Sequence, residues 1–129
     1  EFYPNTIPAE YFLTPDPGQN DDVMAKEMGE GSLIINATGL GKDRPGSPLT
    51  DAAQFPKKAI VWEINYRGEL TFMHQAEAQE KEKELDIQDG WMYFVYGWTQ
   101  VMADVFHCEL LGEKLQKLSE IAREVQSRK

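Results

Sequence analysis

The sequence predicts an α/β fold built on a parallel sheet. Two short apolar runs, at residues 33–35 and 59–66, each lead into polar residues and a turn. Runs of this length that are bounded by turn residues are typical of buried strands in parallel sheets. Helical patterns precede and follow them. Because ligands of open α/β sheets bind beyond the carboxyl ends of the strands, the polar residues at these two ends are the first candidate site.

The N-terminal part is predicted to hold one short strand and one helix. The strand is predicted over residues 9–13, between flanks rich in proline. Asn20 is a favourable N-cap for a helix over residues 21–28, whose first turn is acidic. The loop of residues 39–56 then joins the two sheet strands, and residues 51–55 are predicted to add a turn of helix inside it.

Helices are predicted from about residue 71 to residue 128. A helix over 71–85 is followed by a connector at 86–89 and by residues 90–106, which are apolar on all sides and therefore predict a buried helix. Residues 109–128 form an amphipathic helix that is predicted to dock on the domain, since its repeat is short for a coiled coil. The side chains predicted to point inward from the first of these helices are Phe72, Ala76 and Leu85.

Composition excludes several classes of function. The chain has 129 residues, enough for one domain, and a net charge of −9, which disfavours binding to nucleic acid or to anionic membranes. It contains no apolar run of membrane-spanning length and no secretory signal. The single cysteine, Cys108, excludes an internal disulfide and fits a reducing compartment, so we expect a cytoplasmic protein.

Few residues fit a metal site or a phosphate-binding turn. His74 and His107 have no cysteine or carboxylate at metal-ligand spacing, so no metal site is predicted. The nearest approach to a Gly-x-Gly-x-x-Gly turn is at residues 39–41, but Arg44 stands where the third glycine belongs. The sequence therefore predicts that a dinucleotide pyrophosphate has no binding turn in this chain.

Polar motifs at the two strand ends resemble those of the shikimate/quinate dehydrogenase family. Taken alone, the Asn36-Ala37-Thr38 triplet after the first strand is also typical of an ordinary loop. The resemblance rests on several pieces in the right order, over roughly residues 32–106. These pieces are Asn36-Ala37-Thr38, Ser47-Pro48-Leu49, Glu63-Ile64-Asn65-Tyr66 with Thr71, and Asp89-Gly90 at the start of a helix. Glu63 replaces the aspartate of the family pattern, and Gly68 replaces its proline.

This resemblance implies that residues 1–129 are a partial NAD(P)-binding domain. The implied fold is the second half of a Rossmann-type, three-layer domain with a parallel sheet and C-terminal helices over about 71–128. The glycine-rich first half is absent from this chain, and so is the substrate domain that holds the catalytic Lys and Asp of the family. We therefore expect a C-terminal fragment that contains no catalytic residue of its own.

The implied activity is NAD- or NADP-dependent hydride transfer to or from a hydroxylated cyclic acid such as shikimate or quinate, in aromatic amino acid biosynthesis. The determinant that separates NAD from NADP lies upstream. The expected partners are the small-molecule substrate and the missing N-terminal substrate domain or a partner chain, and a homodimer is left open. The alternative is a non-catalytic acidic interaction domain that uses its C-terminal amphipathic helix.

By resemblance, four residues are expected to contact the cofactor: Asn36, Thr38, Ile64 and Gly90. Ile64 would contact the nicotinamide half. Gly90 would lie against the nicotinamide ring, where the absence of a side chain permits close approach. We therefore expect Gly90→Ala to keep its melting temperature and to lose cofactor affinity or turnover. The alternative is that Gly90 needs a positive φ, in which case alanine would destabilise the fold.

The residues expected to contact the substrate are Tyr66 and Gln100. In the family the tyrosine contacts the hydroxylated ring, and a glutamine binds substrate at the position that Gly97 occupies here. Gln100 lies three residues further along the same predicted helix and is expected to substitute for that glutamine.

Overall fold

The fold consists of a three-stranded parallel sheet with helices before, between and after its strands, as the sequence predicts. The computed structural model describes residues 8–127. The strands lie in the order in which they occur along the chain. The elements are α1 (Pro17–Glu27), β1 (Leu33–Asn36), β2 (Ile60–Glu63), α2 (Thr71–Glu77), α3 (Glu80–Lys83), β3 (Asp86–Gln88), α4 (Trp91–Phe106) and α5 (Glu113–Ser127).

The register of the sheet separates a covered face from an uncovered one. Ile34 pairs with Val61, which pairs with Ile87, and this row packs against the main core. Because successive side chains of a strand point to opposite faces, the neighbouring rows lie on the other face. There Leu33 is 53% exposed and Ile60 is 42% exposed.

The main core lies between the covered face of the sheet, the two helices α1 and α2, and the loop that joins β1 to β2. Phe55 and Phe72 meet edge to face with ring centres 5.8 Å apart. Phe72, Ala76 and Leu85 are all buried, which confirms the inward positions predicted for residues 71–85. The buried apolar residues of this core are Met24, Leu49, Ala53, Phe55, Ala59, Val61, Phe72, Ala76 and Leu85.

The first helix begins earlier than predicted. Helix α1 starts at Pro17, and the Asp16 carboxylate accepts a hydrogen bond from the Gly18 N–H at 2.8 Å. Proline is favoured in a first helical turn because it has no N–H to leave unpaired, so the pair of Asp16 and Pro17 outcompetes Asn20 as the helix start. Asn20 lies inside α1, and its side chain donates to the Pro48 carbonyl at 2.8 Å.

Three other predicted elements are wrong. Residues 9–13 form no strand, and their side chains lie largely in solvent with no neighbouring strand to pair with. Residues 51–55 form a turn without a helix. The predicted connector at 86–89 contains β3, which pairs parallel with β2. This strand was missed because it is three residues long and only Ile87 in it is apolar.

The segment 71–85 is divided into α2 and α3, with Gln79 between them. Helix α4 was predicted to be buried on all sides. It is instead buried on one face only, through Trp91, Val95 and Thr99. Its other faces expose large side chains that include Trp98, 58% exposed. Helix α5 docks on α4 through Leu115, which confirms the docked interpretation of the amphipathic pattern.

Leucines on the two faces of the sheet should differ in their contribution to stability. Leu85 is buried in the main core and Leu33 lies on the uncovered face. We expect Leu85→Ala to lower the free energy of unfolding of the chain by about 2–5 kcal/mol, because a cavity remains. Leu33→Ala should change it by less than about 1 kcal/mol. Urea denaturation of both variants checks this, and equal losses would contradict the assignment of the two faces.

Candidate functional site

A buried polar network joins the carboxyl ends of β1 and β2. The Glu63 side chain is fully buried, and its Oε2 accepts a hydrogen bond from Asn36 Nδ2 at 2.7 Å. Its Oε1 accepts from the Asn65 N–H at 2.9 Å and from Asn65 Nδ2 at 2.7 Å. Three donors therefore satisfy one carboxylate that has no access to water, which offsets the cost of burying it.

The same network fixes the glycine-rich loop that follows β1. The Nδ2 groups of Asn36 and Asn65 both donate to the Leu40 carbonyl, at 3.4 and 3.2 Å. Asn36 Oδ1 accepts from the Thr38 N–H at 3.0 Å and from its hydroxyl at 2.7 Å. The side chain of Asn36, one of the expected cofactor residues, is thus used within the protein, while Thr38 stays at the exposed surface of the loop.

Burial of Glu63 raises the pKa of its carboxyl group above the ordinary value. The hydrogen bonds from Asn65 and Asn36 stabilise the charged form and act in the opposite direction, but burial is the larger effect. The native state therefore holds a proton on Glu63 at pH values where the unfolded chain has already lost it.

This shift predicts how the stability of the chain depends on pH. As pH rises from the ordinary glutamate pKa through the raised folded-state value, the contribution of Glu63 to stability is lost, and it returns as pH falls. We expect the stability of the wild type relative to Glu63→Gln to increase as pH is lowered from neutral. Urea denaturation of both proteins across this range measures the difference. A fall in the stability of the wild type relative to Glu63→Gln on acidification would contradict the direction of the shift.

A cleft of roughly 690 Å³ opens beside the network, between the loop after β2 and helix α4. Tyr66 forms part of its wall and stacks on Phe94 with ring centres 3.9 Å apart. Lys42, from the glycine-rich loop, places its ammonium group 5.3 Å from the centre of the Tyr66 ring. The cleft thus lies at the carboxyl ends of the parallel strands, where open α/β sheets bind ligands.

Of the six predicted site residues, Ile64 and Tyr66 line the cleft, beside Gly97, which occupies the position of the family glutamine. Asn36, Thr38, Gly90 and Gln100 do not line it. The Gln100 side chain donates to Asp104 at 3.0 Å and borders a different cavity, of roughly 420 Å³, near the end of α4.

Lys42, Phe94, Tyr96 and Val101 also line the cleft and were missed from the sequence. Lys42 is one lysine in a loop, and Tyr96 is one of many aromatic residues in α4, so neither carries a pattern that singles it out.

Gly90 is required by the packing of the backbone. Its N–H donates to the Asn65 carbonyl at 3.2 Å, and a Cβ placed on it would lie 1.8 Å from the Ile64 carbonyl oxygen. Its φ of −84° is accessible to any residue, so positive φ is not the reason for the glycine. The expectation that Gly90→Ala would leave the fold unchanged is therefore wrong, because the added atom overlaps main-chain atoms.

Two glycines at α4 give a matched test of this packing. We expect Gly90→Ala to lower the free energy of unfolding by about 1–3 kcal/mol or more, because main-chain atoms must move apart. The control is Gly97→Ala, where a Cβ would meet nothing within 4 Å. Inside a helix, that change should raise stability by up to about 1 kcal/mol. Thermal unfolding compares the two, and a Gly90→Ala protein as stable as the wild type would refute the close contact.

The described residues contain no cluster of three or more His, Cys, Asp or Glu side chains that could hold a metal ion. Within residues 8–127, no helix is both long enough and apolar enough to cross a membrane.

Comparison with known proteins finds partial similarity to two shikimate dehydrogenases (NADP(+)). The protein from Streptococcus thermophilus is 36% identical over 62 residues, which is 47% of this chain and 22% of the relative. The protein from Lactococcus lactis subsp. cremoris is 33% identical over 64 residues, which is 49% of this chain and 22% of the relative. No family model and no solved structure matches. About half of this chain is thus similar to roughly a fifth of each relative.

Proposed function

We propose that this chain is the C-terminal part of a shikimate dehydrogenase-like oxidoreductase, and that residues 1–129 form the second half of its NAD(P)-binding domain. The complete protein would transfer hydride reversibly between NAD or NADP and a hydroxylated cyclic acid such as shikimate or quinate. The observation that carries the proposal is the cleft at the strand ends, lined by Ile64 and Tyr66, in a chain with partial similarity to shikimate dehydrogenases. We also propose that it works in the cytoplasm.

The described residues fit one end of the cofactor. Ile64 and the aromatic residues of α4 give the cleft an apolar wall suited to a flat nicotinamide ring, which supplies the hydride chemistry when the cofactor is bound. The pyrophosphate end has no such support. The Gly41 N–H is bonded to the Arg44 carbonyl at 2.7 Å, and the loop continues to Pro45 without opening a helix. The phosphate-binding turn would belong to the missing half.

Tyr66 is suited to orienting the substrate. Its ring is held by stacking on Phe94, and the side chain of Gln126 donates to its carbonyl at 3.1 Å. A ring fixed in this way can present its hydroxyl group to a substrate hydroxyl at little cost in conformational entropy. The acid and base groups that move the substrate proton would come from the missing substrate domain.

The uncovered face of the sheet supports the proposal of a missing half. Parallel sheets are normally covered on both faces, yet Leu33, Ile35 and Ile60 are 42–53% exposed. Strand β1 also lies at an edge of the described sheet. An N-terminal segment or partner chain that supplies further strands and helices would bury these residues.

The packing of α5 favours the enzyme over the interaction domain. Leu115 is buried against Trp91 and Val95, and Ala122 packs on the same cluster. Leu115 and Ala122 are thus used inside the fold, whereas Ile121 and Val125 are 48% and 53% exposed, so only part of the apolar stripe of α5 is left for the partner that the alternative requires.

The direct test is dehydrogenase activity, measured as NAD(P)H formation with shikimate and with quinate. We expect activity in the complete protein that contains this chain and none in the purified 129-residue chain, which lacks the phosphate-binding turn. NAD(P)H formation above buffer by the chain alone would refute the fragment proposal. A folded complete protein that is inactive with both acids would refute the proposed activity.

A conservative substitution tests the role of Tyr66 in the complete protein. We expect Tyr66→Phe to lower kcat/KM for the cyclic acid by roughly three- to tenfold, the effect of one lost hydrogen bond, and to leave the Kd of the cofactor unchanged. Tyr11→Phe is the control, since Tyr11 is 95% exposed and lies outside the cleft. Steady-state kinetics and cofactor titration measure both effects. A loss of cofactor affinity with unchanged substrate kinetics would show that Tyr66 serves the cofactor.

A further inference from the structure

Lys42 stands out in the cleft because of its charge. The chain carries a net charge of −9, but among the described residues that line the cleft Lys42 is the one charged side chain. Its side chain is 24% exposed, and its ammonium group lies over the ring of Tyr66. The other lining residues are apolar, aromatic or amide-bearing. A partly buried cation among aromatic walls favours a ligand that brings a negative charge.

The contacts of Lys42 with its neighbours leave its ammonium group able to bind such a ligand. Its distance to Asp43 Oδ2 is 3.6 Å, which is longer than a hydrogen bond. The other Asp43 oxygen accepts from Arg67 at 3.1 Å, so this exposed carboxylate already has a closer cation. The Lys42–Asp43 pair therefore contributes little, because it is long and the Asp43 side chain is 60% exposed. The ammonium group of Lys42 has three donors to offer a ligand.

The side chains beside Lys42 offer no amide donor that could bind a negatively charged ligand in its place. The two hydrogens of Asn65 Nδ2 are directed to Glu63 and to the Leu40 carbonyl. Gly97 adds no side chain to the cleft. Lys42, the tyrosine hydroxyls and the indole N–H of Trp98 are therefore side-chain donors of the cleft that remain to bind a polar ligand, and Lys42 is the charged one among them.

We propose that Lys42 selects a carboxylate carried on a compact ring. The ammonium group pairs with the carboxylate, and the aromatic walls contact the ring. This inference rests on the proposed function, because it names the residue that would read the acid group of the cyclic substrate. A carboxylate needs one ammonium group, whereas a phosphate would draw on a second cation, and Arg67, 5.9 Å from the centre of the Tyr66 ring, already donates to Asp43 at 3.1 Å.

The test compares two ligands of nearly equal shape, cyclohexanecarboxylate and cyclohexanecarboxamide, binding to the 129-residue chain. Tryptophan fluorescence reports the binding because Trp98 lines the cleft. We expect the carboxylate to bind about tenfold more tightly than the amide, the scale of one charge-assisted hydrogen bond. Added salt should reduce this preference.

Three variants, each checked for folding by circular dichroism, assign the preference to Lys42. Lys42→Gln should bind the two ligands equally, and Lys42→Arg should keep the preference. Lys57→Gln is the control, since this exposed lysine does not line the cleft, and it should behave as the wild type. Equal binding of both ligands by the wild type, binding of neither, or a preference that persists in Lys42→Gln would overturn the proposal.

The outcome is independent of the proposed dehydrogenase activity, because the titration needs no cofactor and no turnover. If the complete protein is active while the chain binds both ligands equally, only the role of Lys42 fails. If Lys42 selects the carboxylate while the complete protein has no dehydrogenase activity, the proposed reaction fails and the anion-binding cleft remains.

Discussion

Glu63 is the residue on which the arrangement of the strand ends depends. A buried carboxylate is costly unless donors surround it, and Asn36 and Asn65 supply three hydrogen bonds to it. Both asparagines also donate to the Leu40 carbonyl, so the ends of two strands and the loop between them form one hydrogen-bonded unit. A change in the length of any of these side chains would leave buried polar groups without partners. The network therefore sets where the loop lies.

The position of the cleft follows from this unit. Helix α4 begins where Gly90 contacts the carbonyls of Ile64 and Asn65, at the end of the network. This contact allows the helix to start directly against the strand end, and Phe94 then lies under the ring of Tyr66. The aromatic wall of the cleft is thus held by main-chain packing and by a buried hydrogen-bond network, both of which resist deformation.

The sequence predicts those parts of the fold that depend on local pattern. The apolar runs identify β1 and β2, and two residues that follow β2, Ile64 and Tyr66, do lie together in the cleft. Other features depend on contacts between distant residues. The bond from Asn36 to Glu63 requires the register of two strands, and the overlap at Gly90 requires the path of the backbone at Ile64. Helix α4 was predicted to be buried because its composition does not show which of its faces is covered.

The most direct test of the central claim is whether the cofactor reaches Ile64 in the complete protein. Methyl-labelled isoleucines can be followed by NMR while NAD or NADP is added. If the cleft holds the nicotinamide ring, the Ile64 methyl signals shift and show contacts to nicotinamide protons, whereas the signals of Ile34, which packs against the main core, do not change. An Ile64 signal that does not respond to saturating amounts of either cofactor would contradict the claim that this cleft belongs to a nicotinamide-dependent dehydrogenase.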